Sequence, residues 1–187
     1  MKFKRKTVLN LLLILFVLSF FVTPMGYYGK LFLIRAFNFG PKVIAEQERK
    51  KIVDYDWKLK DANWDFFNFE NSKDYVVFIN FWASWKLISE AELHSIQKLY
   101  DKYAGEVVFY VITNEERPPV EEFMQRKEFT FPVTYLIIGE KAPVNVDIVP
   151  SSYIIDKEGN IAVHVEDGIA NWNTDEIHQL LDTLIAR

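Results

Sequence analysis

Residues 75–81 read Tyr-Val-Val-Phe-Ile-Asn-Phe, an almost unbroken run of β-branched and aromatic side chains. A strand with one wet face alternates polar and apolar residues. A run that does not alternate must bury both faces, as strands of a covered parallel sheet do. Residues 107–113, Val-Val-Phe-Tyr-Val-Ile-Thr, repeat the pattern. Between the two, Leu93, Ile96, Leu99, Tyr100 and Tyr103 recur at helical spacing, and Glu90, Glu92, Gln97, Lys98 and Asp101 are read as the outward face. Gly105 suits the helix stop. Strand, helix, strand in that order demands a parallel crossover.

The rest of the chain extends this core. Residues 55–59 and 64–69 are aromatic-rich short strands around Asp61-Ala62-Asn63. Pro118 and Pro119 can open a helix over 120–126. Residues 131–138 are strand-like, and 139–145 form a loop. Residues 151–155 and 161–165 flank the turn cluster Asp156-Lys157-Glu158-Gly159-Asn160, which predicts an antiparallel pair. Asn173 or Thr174 caps a last helix whose apolar face is Ile177, Leu180, Leu181, Leu184 and Ile185. The expected architecture is α/β, a mixed central sheet with helices on both faces.

The N-terminus is different. Lys2, Lys4, Arg5 and Lys6 precede an apolar run over residues 8–22, broken only by Asn10 and Ser19. Extended to Tyr28, it reaches the roughly 17–25 residues of a membrane-spanning helix. A cleaved signal peptide shares the basic start and apolar centre, but no small-x-small cleavage site follows and bulky Tyr27 and Tyr28 stand there. The basic end predicts a cytoplasmic tip, with the body on the far side of the membrane. Expected boundaries are 1–28 for tip and anchor, 29–51 for a juxtamembrane linker, and 52–187 for the folded domain.

Composition excludes several chemistries. The net charge is −4 and basic residues are scattered beyond the N-terminus, which argues against a nucleic-acid partner. None of the 187 residues is cysteine. There is no disulfide, no thiolate metal site and no thiol nucleophile. His94, His164 and His178 do not fall at metal-ligand spacings, and no metal or cofactor is expected. Asp147, Asp156 and Asp167 read as turn residues.

Two motifs carry a resemblance. Phe81-Trp82-Ala83-Ser84-Trp85, followed by Glu90-Ala91-Glu92-Leu93, resembles the segment around Cys-x-x-Cys in the TlpA/ResA-like thioredoxin-fold family. Val149-Pro150-Ser151-Ser152-Tyr153-Ile154-Ile155-Asp156 is similar to that family's Val-Pro-Thr-Thr-Phe-x-Ile-Asp segment. The resemblance spans roughly residue 50 to the C-terminus. It implies a thioredoxin-like fold, a cis bond before Pro150, membrane tethering in the bacterial envelope, and thiol–disulfide exchange. The sequence departs at the two reactive positions, where Lys86 and Ser89 replace the cysteines.

Exchange needs one thiolate to attack and a second sulfur to resolve the mixed disulfide. Lys86 instead sets a cation at a helix N-terminus, which costs about 0.3–1 kcal/mol when exposed. Its stem can carry the ammonium to water. Ser89 cannot form a disulfide, and with Glu92 it fits a capping box. Ser89 and His94 fall on different sides of one helix, which argues against a hydrolytic pair. Enzymatic activity of the family's kind is therefore not expected. In the family, backbone beside the cis proline pairs with an extended substrate segment, a contact that needs no thiol. Trp85, Lys86, Val149 and Pro150 would line that groove for a protein or peptide partner, with Trp82 in the core. An oxidoreductase on the family pattern and a structural assembly subunit are the rival readings.

Overall fold

The computed structural model describes residues 5–166 and 168–187, so the readings on Lys2, Lys4 and Asp167 lie outside the described residues. Two compact units divide at Phe37 and Asn38. The first holds α1 (Arg5–Val22) and α2 (Pro24–Ala36), the latter opened by Pro24 in its first turn. Among the described residues no single helix is long and apolar enough to cross a membrane. The segments Arg5–Ser19 and Pro24–Ala36 together meet that test but are bent by 74°. The single spanning helix expected over 8–28 is thus interrupted. Pro24, which cannot donate a backbone hydrogen bond, sits at the break.

The second unit is a seven-stranded mixed sheet in the order β2-β1-β5-β4-β3-β6-β7. Its strands are β1 (Lys58–Lys60), β2 (Phe66–Asn68), β3 (Val76–Phe81), β4 (Val107–Thr113), β5 (Val133–Leu136), β6 (Ser151–Ile155) and β7 (Ile161–Glu166). β3, β4 and β5 run parallel, and β6 pairs antiparallel with β3 and β7. The two short strands expected here, β1 and β2, pair as a hairpin, in which the Asp61 carboxylate accepts from the backbone N–H of Asn63 and Asp65. All six residues of β3 are buried, as its unbroken apolar run requires.

The helices are α3 (Leu87–Tyr103), α4 (Arg117–Lys127) and α5 (Asp175–Ala186). The Thr174 hydroxyl caps α5 by accepting from the Ile177 N–H. The expectation of helices on both faces needs correction. Leu93, Ile96 and Leu99 of α3, Val120 and Phe123 of α4, and Ile177, Leu181 and Leu184 of α5 all join one core with Phe78, Phe109 and Val111. The core on the other face, with Val77, Ile79, Phe81, Tyr110 and Ile112, contains no residue of an α-helix. The cause is topological. β3 to β4 to β5 takes two steps in one direction, and right-handed crossovers then put both connecting helices on one side. Trp57, Phe69 and the loop residues Ala142, Val144, Val146 and Val149 cover the opposite face.

The domain also begins earlier than Ile52. The Ile44 N–H donates to the Ala162 carbonyl, the Ile161 N–H to Lys50, and the Ile52 N–H to Gly159. The later part of the expected 29–51 linker therefore runs along the β7 edge and shields its backbone. Arg49 and Asp156 pair across this seam at 3.5 Å, both nearly buried. Asp156 is otherwise the turn residue expected, accepting from the N–H groups of Glu158 and Asn160.

Candidate functional site

The C-terminal end of β3 delivers Trp82 to the core and turns through Ala83 to Trp85 into α3. The turn is fastened from one side. Glu115 accepts from the Ser84 N–H through Oε1 and from the Ser84 hydroxyl through Oε2, each at 2.6 Å. Trp82 is buried, as expected. Trp85 is 72% exposed. Lys86 is the N-terminal cap residue of α3, in extended conformation (φ −91°, ψ 117°).

Across from this turn the chain enters β6 through Val149-Pro150, whose peptide bond is cis. The Lys86 ammonium donates to the Val149 carbonyl oxygen at 2.6 Å. Two segments far apart in sequence thus share one rim, built by Trp85, Lys86 and Val149. Pro150 lies buried behind it. The Lys86 ammonium also stands 5.3 Å from the Trp85 ring centroid, within cation–π range.

Ser89 does not cap the helix. α3 starts two residues before it, and Ser89 is wholly buried, its hydroxyl accepting from the Ala83 N–H at 3.3 Å. The resolving-thiol position is therefore a brace for the turn.

Glu90 and Glu92 also depart from their expected outward placement; both are buried. Glu90 pairs with Lys127 of α4 at 2.6 Å. Glu92 is held by neutral donors: Trp172 Nε1 at 2.7 Å, the Ser152 hydroxyl at 3.2 Å, Asn80 Nδ2 at 3.3 Å and the backbone of Ala170. Asn80 Nδ2 also donates to Ser152 at 2.8 Å. Burial pushes the Glu92 carboxyl up to about 7, against the lowering effect of these donors. Asn80 Oδ1 is buried with no hydrogen-bond partner, so a protonated Glu92 would find an acceptor beside it once the amide turned over. Sequence reasoning missed this cluster. Its signals were Asn80, the one polar residue inside an apolar strand, and the spacing of Glu92 to Ile96, Leu99 and Tyr103.

The histidines stay out of the rim. His94 packs edge-on to Phe129, His164 stacks on Tyr153 at 4.3 Å, and His178 faces Tyr103. Among the described residues no group of His, Asp or Glu could hold a metal ion. A separate concavity of about 470 Å³, lined by Lys51, Tyr55, Lys73, Asp74, Lys157 and Glu158, shares no residue with the rim.

A helix opening beside a cis proline at the end of a mixed sheet defines a thioredoxin-like domain, here with lysine and serine where thiols would stand. The chain belongs to the AhpC/TSA family, whose pattern it matches over residues 53–164. It is similar to the thiol-disulfide oxidoreductase ResA of Bacillus cereus, 28% identical over 170 residues, covering 87% of this chain and 90% of the relative. It is likewise similar to the thioredoxin-like protein YneN of Bacillus subtilis, 27% identical over 150 residues, covering 78% and 85%. Among solved structures, a DsbF homologue from Corynebacterium diphtheriae superposes with a TM-score of 0.60 at 17% identity, covering 79% of this chain and 99% of that one. A thiol:disulfide interchange protein from Chlorobium tepidum gives 0.57 at 17% identity, covering 73% and 97%.

Proposed function

We propose that this chain is a redox-inactive thioredoxin-like module that binds a protein or extended peptide segment in the bacterial cell envelope. The carrying observation is the rim itself. Lys86 and Val149 meet across the two motifs while Ser89 fills the second thiol position from within. A surface of this shape offers backbone and apolar contacts and has no sulfur to transfer electrons. The basic, apolar N-terminus supports tethering to the cytoplasmic membrane, with the domain facing the periplasm or the exterior.

Two measurements test this reading. A photocrosslinker at position 85, with the adduct mapped by mass spectrometry, is expected to join a defined segment of another chain. Adducts spread over unrelated sequences would contradict it. The purified chain is expected to reduce no disulfide substrate above background, and the double variant K86C/S89C is expected to gain that activity. Turnover by the unaltered chain would instead favour the oxidoreductase reading.

A further inference from the structure

We propose that the rim selects extended segments carrying a carboxylate, with Lys86 as the residue that reads it. The inference rests on the binding-module reading and names the class of segment bound.

Lys86 is a cation without a counter-charge. It forms no ion pair among the described residues, and its acceptor is the neutral Val149 carbonyl. Three carboxylates of the adjoining segments have partners of their own. Glu115 holds Ser84, Glu90 holds Lys127, and Glu92 is sealed under Trp172. Asp147, two residues before Val149, is exposed and makes no ion pair among the described residues, with Lys86 or with any other cation. An ammonium has three donors, and a charged acceptor binds it more strongly than a carbonyl does.

Exposed apolar side chains flank the contact. Trp85 (72% exposed) and Ile148 (37%) directly precede Lys86 and Val149, and Ile88 (44%) lies two residues after Lys86. A segment with one acidic side chain between apolar neighbours matches this arrangement in charge and in polarity. Its carboxylate takes the Lys86 ammonium. That frees the Val149 carbonyl to accept a backbone N–H from the same segment. One exchange of partners thus couples side-chain selection to main-chain pairing.

The test uses the full chain, purified in mild detergent, on arrays of decapeptides whose central residue is Glu, Gln or Lys and whose neighbours are apolar. Glu-centred peptides are expected to bind about fivefold more tightly than their Gln counterparts. Lys86→Met is expected to erase that preference, and Lys86→Glu to turn it toward Lys-centred peptides. Equal binding of all three sets overturns this inference and leaves the binding module standing. A Glu preference that survives Lys86→Met overturns the assignment to Lys86. Binding of no peptide overturns the module itself, and the inference with it. The peptide comparison on the unaltered chain decides selectivity even where a variant folds poorly.

Discussion

The rim at Lys86 and the polar cluster at Glu92 sit on the same helix and are held in opposite ways. Lys86 keeps water on one side, one neutral acceptor, and two donors to spare. Glu92 is closed in by β3, β6 and the segment carrying Trp172, with a donor for each oxygen. One is adjustable at low cost. The other is a buried acid whose removal leaves oriented donors with nothing to bond. The position of the attacking thiol is thus the replaceable one, while Ser89 at the second position and Glu92 beneath it are held in the core.

Four substitutions probe that contrast. The largest effect is expected from Glu92→Ala, which orphans Trp172 Nε1 and Ser152 and opens a cavity. Chemical denaturation should show a loss of about 4 kcal/mol. Near-neutral behaviour would mean that the cluster does not hold the helix to the sheet.

Next is the pH dependence. The folded value of Glu92, about 7, lies above its ordinary 4.5, so the native state holds this proton more tightly than the unfolded chain does. The stabilisation is full below pH 4.5 and is lost as pH rises through 7. The loss amounts to about 3 kcal/mol by pH 8. Glu92→Gln mimics the protonated acid and should flatten that part of the stability–pH profile relative to the unaltered chain. Parallel profiles would refute the assignment.

Ser89→Ala removes the acceptor of the buried Ala83 N–H and should cost about 1 kcal/mol, with faster hydrogen exchange at that amide. Smallest of all, Lys86→Met should shift stability by no more than about 0.5 kcal/mol, since it ends a single contact at a wet rim. A loss there as large as that at Glu92 would erase the distinction between the two regions.

The sequence made the strands and the two motifs legible because burial on both faces and turn chemistry are local signals. Unbroken apolar runs located β3 and β4, and the Asp156 turn located the β6–β7 pair. The charge of Glu92 points outward, but its period points inward. Its distances of four, seven and eleven residues to Ile96, Leu99 and Tyr103 place it on the buried stripe. The side of the sheet each helix occupies was not local information. It followed from strand order, which pairing between distant segments decides. Likewise no periodicity could bring Lys86 to Val149, whose meeting depends on β6 lying beside β3.

The loop of Ala142, Val144, Val146 and Val149 replaces a helix as the cover of the second core. Its last member also presents the carbonyl at the rim. The lip of the proposed groove is therefore part of a packed wall, since its apolar side chains belong to the second core. For the proposed module this means a preset shape, with little ordering entropy to be lost on binding.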